Sequence, residues 1–184
     1  MTSLIQMAKT ALTIFMLVLI GLYFLGTSAK AEQPKLEVVG YDIYKLVDSL
    51  AGPYDLSNTV KTLIYIESKN GLYPVNLQDP ACGITHININ TYIKRHKLKD
   101  TKFNRNKACS DLIADPAWAI TNAIEELSFW KHIHCKRKVN GMPKCTVNQF
   151  KNVVKSYNTG WNYKGKAAEE YYEKFRKAYK EIIK

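Results

Sequence analysis

The chain is poor in acids. Sixteen Asp and Glu stand against 27 Lys and Arg over 184 residues, a formal charge of +11. That shortfall favours anionic partners in general: nucleic acid, a membrane surface or an anionic polymer. Proline and glycine are sparse, at six and nine. Such counts exclude a collagen-like fibre and a proline- and glycine-rich disordered chain. No apolar run reaches the roughly 20 residues of a spanning helix. The longest, Ala11 to Gly26, has 16, so a multi-span membrane protein is excluded. No internal repeat and no low-complexity block occurs.

What is present begins with an export signal. Lys9 precedes the apolar run, and Thr27, Ser28 and Ala29-Lys30-Ala31 follow it. A basic start, a short apolar core and a small-x-small site read as a secretory signal peptide over residues 1–31, cut after Ala31. An uncleaved anchor is the alternative and the one expected route to a membrane. Either way the remainder is expected outside the cytoplasm, periplasmic or secreted. The signal holds Lys9 and Lys30 and no acid, so the mature chain keeps 25 bases and 16 acids, or +9. Its 153 residues fit one domain with a core of its own.

All four cysteines, Cys82, Cys109, Cys135 and Cys145, lie in the exported part. An even count in an oxidising compartment reads as two disulfides. Three pairings exist. Cys82–Cys109 with Cys135–Cys145 is favoured, because the second closes a short loop holding Asn140-Gly141 and Pro143. A zinc site from His132, His134, Cys135 and Cys145 is the rival, but His-x-His-Cys fits no standard structural spacing. No metal and no organic cofactor is expected.

Hydrophobic periodicity predicts a mostly α-helical α+β chain. Residues 32–53 form a polar lead and a short helix from Tyr41 to Leu50, ended by Gly52-Pro53. A second helix starts at Ser57 as N-cap and runs to about Lys69, closed by Asn70-Gly71. Tyr73 to Gly83 reads as loop, and Ile87 to Ile93 as strand or helix. Residues 99–107, basic and polar, read as loop. Helices follow over Ala117 to Ile133, with Asp115 as cap and Pro116 first, and over Val147 to Tyr157. Asn158 to Tyr163 is a turn. Within the last segment, 164–184, an amphipathic helix from Ala167 to Ile183 closes the domain.

One residue sits on the wrong face. Val60, Leu63 and Ile64 form the apolar stripe of the second helix, and three more residues lead to Glu67. A carboxylate is thus aimed at the core side near a helix C-terminus. Desolvation and the negative end of the helix dipole both disfavour its ionised form. A general acid working near neutral pH requires that bias.

Four motifs follow in order: Glu67-Ser68, then Gly83-Ile84-Thr85-His86-Ile87-Asn88, then Ile120-Thr121-Asn122-Ala123, then Ser156-Tyr157-Asn158-Thr159-Gly160. Together they resemble the soluble lytic transglycosylases, lysozyme-like enzymes that cut the glycan strands of bacterial peptidoglycan. The resemblance covers roughly residues 54–163 and implies a lysozyme-like single domain. It makes Glu67 the single catalytic acid, which protonates the glycosidic oxygen and then acts as base on the muramic acid 6-hydroxyl. It makes Gly83, His86, Ile87, Tyr157 and Asn158 substrate-binding residues. His86 stands where the family usually has Gln, and Ala123 near where it often has Gly. A secretion, conjugation or phage apparatus is the expected context, as for small transglycosylases of that kind.

Two rivals remain open at this point. Asp79, in the loop before Gly83, would serve as the second carboxylate of a lysozyme-type hydrolase, or simply cap its own turn before Pro80. A non-catalytic glycan-binding component is the other. Trp118 and Trp130 lie on a helix and read as core, whereas Trp161, beside the Tyr157-Asn158 motif, is the better sugar-stacking candidate. The expected partner is the peptidoglycan glycan strand. Nucleic acid is not expected, since no recognised module appears.

Overall fold

A computed structural model describes residues 43–139 and 141–184. The signal peptide over residues 1–31, the lead after it and the Tyr41 helix start lie outside the described residues. Among the described residues seven α-helices and five short strands follow one another: α1 (Ile43–Ala51), α2 (Ser57–Ser68), β1 (Val75–Asn76), β2 (Ala81–Cys82), β3 (Ile87–Asn88), α3 (Ile89–Arg95), α4 (Lys102–Ala114), α5 (Pro116–His134), β4 (Arg137–Val139), β5 (Met142–Lys144), α6 (Val147–Thr159) and α7 (Lys166–Ile182). The chain is a mostly helical α+β protein.

The longest helix, α5, begins where the sequence says it should. Asp115 accepts a hydrogen bond from Trp118 N at 3.0 Å, and Pro116 takes the first helical position. Its inward residues Ala119, Ile120, Ala123 and Leu127 are fully buried. Helices α1, α4 and α6 pack against it, and α7 lies across α2 and α6. From α2 the core receives Val60, Leu63 and Ile64, each with no exposed surface. Each such side chain contributes about 1.5–3 kcal/mol by leaving water. Every buried side-chain N or O among the described residues has a hydrogen-bond partner.

Strands β1, β2 and β3 form a small antiparallel sheet, with Cys82 opposite both Val75 and Ile87. The β4–β5 hairpin is separate. Cys82 bonds to Cys109 and Cys135 to Cys145, the pairing favoured above. The sulfurs of Cys135 and Cys145 are therefore not thiolates for zinc. Two disulfides mark a protein that folds outside the reducing cytoplasm. Among the described residues no helix is long and apolar enough to cross a membrane.

Three local expectations need correction. Ser57 is the first residue of α2 and not its cap; Leu56 precedes the helix without a side-chain cap bond. The end of that helix falls where expected, at Ser68, because Lys69 and Asn70 both turn left-handed, at φ 50° and 60°. Residues 99–107 are not a loop: Thr101 caps α4 through Asn104 N, and the helix runs from Lys102. Tyr73 to Gly83 carries β1 and β2. Ile87 to Ile93, left open between strand and helix, holds both: β3, then α3 capped by the Asn88 side chain.

Candidate active site

Glu67 occupies the penultimate position of α2, and the residue after it does the positioning. The Ser68 hydroxyl is buried and lies 2.7 Å from the carbonyl oxygen of Ile84 and 3.1 Å from that of Ile64. It also accepts a hydrogen bond from Gly71 N at 2.9 Å. One small hydroxyl thus joins the helix end to the turn at 83–86. Lys174, from α7, donates to the Ile66 carbonyl at 2.9 Å and caps the negative end of the same helix.

The facing turn depends on Gly83. Its φ is +82°, and a Cβ there would stand 2.8 Å from the Leu112 carbonyl oxygen and 3.1 Å from Ala119 Cβ. Only glycine lets the turn press this close to α4 and α5. The His86 N–H closes the turn onto the Gly83 carbonyl at 3.1 Å. His86 itself is left-handed, at φ 48°, and its ring is aimed back at Glu67. Thr85 ties the turn to α5 by donating to the Ala119 carbonyl.

Both Glu67 oxygens have company. Tyr171, from α7, donates its hydroxyl to Oε1 at 2.5 Å. His86 Nδ1 stands 3.4 Å from Oε2. His86 Nε2 is 2.7 Å from the Tyr73 carbonyl oxygen. A carbonyl only accepts, so Nε2 carries the proton. Nδ1 faces Glu67, so Tyr171 holds one carboxyl oxygen and His86 stands beside the other. The Glu67 side chain is 13% exposed, open enough to reach a ligand and dry enough to be firmly held.

Tyr157 donates to the Thr85 carbonyl at 2.7 Å. Burial, and next the charge of Glu67, push the hydroxyls of both Tyr157 and Tyr171 well above the ordinary tyrosine value. Both remain protonated donors. Beside Glu67 and Tyr157 lies a cleft of about 60 Å³ whose wall also includes Asp79, His86, Ile87 and Asn158. The cleft is too small to enclose a sugar ring, so a ligand must lie across its mouth. Asp79 is exposed and accepts from the Asn88 side chain at 3.0 Å. Asn76 and Asn88 add carboxamides to the same wall, chemistry that suits a polyhydroxylated or N-acetylated ligand.

Six of the residues named from the sequence thus converge: Glu67, Asp79, His86, Ile87, Tyr157 and Asn158. Gly83 lies behind the turn and packs on α4 and α5. Trp161 is 69% exposed and does not line the cleft. It meets the Trp130 ring edge-on, with centroids 5.0 Å apart.

Three participants escaped the sequence reading. Tyr171 looked like one more apolar position of α7. Glu126 lines the cleft, paired with Arg95 and accepting from Trp130 Nε1 at 2.6 Å. Its signal was legible: Ala119, Ala123, Glu126 and Trp130 share one helical stripe, the same test that singled out Glu67. Arg95, at the end of α3, has no such signal. Burial pulls its guanidinium below the ordinary value.

No protein-family model, curated protein or solved structure matches this chain.

Proposed function

We propose that this protein is a peptidoglycan lytic transglycosylase, exported by its N-terminal segment. It cleaves the β-1,4 bond between N-acetylmuramic acid and N-acetylglucosamine. The observation that carries the reading is the setting of Glu67: a carboxyl held at both oxygens, at a polar cleft, by residues from separated motifs. The ordered resemblance of those motifs to the transglycosylase family supports it.

In this reading Glu67 gives its proton to the glycosidic oxygen. The muramic C1–O bond breaks, and its electron pair leaves with the departing sugar oxygen. The carboxylate is then stabilised by the Tyr171 hydroxyl at Oε1. It takes the proton of the muramic 6-hydroxyl as that oxygen bonds to C1. A 1,6-anhydro sugar forms, Glu67 regains its proton, and no water is consumed. His86 orients the carboxyl group, and Tyr157 and Asn158 line the sugar's path.

The test is digestion of purified peptidoglycan, with products read by mass spectrometry and Glu67→Gln alongside. Anhydromuramyl products that vanish in the variant are expected. A second reading has a specific observation behind it, because Asp79 lines the same cleft. Products heavier by one water would assign hydrolysis with Asp79 instead. No products from the disulfide-bonded protein would leave the glycan-binding role.

A further inference from the structure

A second concavity shares no lining residue with the Glu67 cleft and is much larger, about 570 Å³. It lies between the turn after α1, the β4–β5 hairpin, α6 and α7. That volume falls within the usual range of ligand sites, about 300–1,000 Å³.

Its floor is aromatic for a reason written into α7. Tyr172, Phe175 and Tyr179 recur at three and four residues and stack in series, with centroids 6.4 and 5.7 Å apart. Phe150 of α6 adds a fourth ring. Tyr171 points elsewhere, to Glu67, so one helix serves two sites on different faces. The outer lip is apolar and exposed: Val147 has 82% of its surface in water and Tyr54 47%.

The rim is cationic. Lys131, Lys144 and Arg176 line the groove against one carboxylate, Asp55. Lys131 is half-buried and donates to the Tyr54 carbonyl at 3.2 Å, which fixes its ammonium at the wall. Among the described residues neither Lys131 nor Lys144 forms a salt bridge. Arg176 is paired with Glu173 at 2.8 Å. An aromatic trough with Lys131 and Lys144 free of ion pairs at its edge complements a short chain with small apolar groups and free carboxylates. It does not suit a phosphodiester polymer, which would need a longer basic track.

We propose that this groove is a second wall-contact site, which takes the carboxylate-bearing peptide stem of peptidoglycan. The proposal rests on the glycan-cleaving reading of the Glu67 cleft. It gives the enzyme a hold on the peptide as well as the sugar part of one polymer. Tyr172 and Phe175 carry the aliphatic side of the stem, Lys144 meets one of its carboxylates, and Arg176 exchanges Glu173 for another.

Calorimetric titration of the disulfide-bonded Glu67→Gln protein with a synthetic, sugar-free pentapeptide stem tests it. Binding is expected, weakening with salt. Lys144→Glu with Arg176→Gln, both exposed, should weaken it about tenfold or more. Tyr172→Ala should weaken it without loss of the folded circular-dichroism spectrum. Absence of binding, or equal binding to the charge variant, overturns the proposal. Equal binding of an unrelated acidic peptide overturns it too, because the groove would then serve a protein partner. Digestion of peptide-free glycan strands keeps the two readings apart. Cutting without stem binding sinks the groove alone. Stem binding without cutting sinks the enzymatic reading and leaves a wall binder.

Discussion

Glu67 gains its chemistry from neighbours that hold it at fixed distances. The most informative substitution is therefore at a partner. Tyr171→Phe keeps the ring that packs in the core and removes the donor to Oε1. A hydrogen bond to a charged group is worth about 1.5–3 kcal/mol. The cleavage rate should fall about tenfold or more, in protein whose circular-dichroism spectrum stays folded and whose melting temperature falls by a few degrees. An equal loss of folding and activity would make Tyr171 structural only. Gly83→Ala is the opposite case. It never touches the cleft, yet its Cβ meets backbone at 2.8 Å in a left-handed turn. We expect about 2 kcal/mol or more of lost stability in chemical denaturation, and lost activity as His86 is displaced. Both outcomes trace to one carboxyl group, but only the glycine could have been chosen from sequence. Glycine at a motif's first position is a backbone signal. The Tyr171 hydroxyl lies 104 residues from Glu67 and leaves no trace in a local pattern.

The two disulfides tie different elements. Cys82–Cys109 joins β2, next to the Gly83 turn, to α4 across 27 residues. Cys135–Cys145 closes the hairpin across ten. Loop closure predicts about 3.6 and about 2.7 kcal/mol of stabilisation respectively. Replacing Cys82 and Cys109 by Ala should therefore lower stability and glycan cleavage together. Replacing Cys135 and Cys145 should loosen the hairpin and weaken stem binding at the groove, with peptide-free glycan still cut. A digestion assay beside a denaturation curve separates the two. Helix α4 shows why the element level was harder to read. Only Ala108 and Leu112 of its thirteen residues are buried, so no apolar stripe announces it. The Thr101 cap and the Cys109 tether hold it instead. The ion pair of Arg95 with Glu126 links α3 to α5 in the same hidden way. Breaking such a partly buried pair by Glu126→Gln should cost about 3 kcal/mol. The Arg95→Met, Glu126→Leu double variant should cost less than the sum of its singles.

Stability of the whole molecule should form a plateau in pH, with both edges set by named groups. Burial holds His134 below its ordinary value, where it contacts Ser156. The unfolded chain then binds the extra proton first, so stability declines as pH drops below about 6.5. Glu169 is depressed by Lys151 and then Lys155, and Asp100 by Arg105. Their contributions disappear as pH falls further, through the ordinary carboxylate range and below. On the alkaline side Tyr157 and Tyr171 favour their protonated forms in the fold. Their contribution is complete below about pH 10 and is lost above it. Near-ultraviolet titration should show these two ionising above the ordinary tyrosine range. His134→Gln should flatten only the first part of the acid slope in thermal melts.

Much of this molecule was legible along the chain, because periodicity, caps and turns are local. The apolar stripes of α2, α5 and α7, the Asp115 cap with Pro116, and the misplaced carboxylate Glu67 all depend on residues a few positions apart. The cysteine pairing was readable from compartment and loop length. Contacts between distant segments were not. Ser68 reaches the 83–86 turn, Tyr171 and Lys174 reach the end of α2, and Glu126 finds Arg95 only after the helices pack. Trp161, close to the motif in sequence, ends up outside the cleft on Trp130. A linear pattern specifies which face a side chain takes on its own element. Which other element meets that face depends on how all the faces bury at once, and tertiary packing decided it.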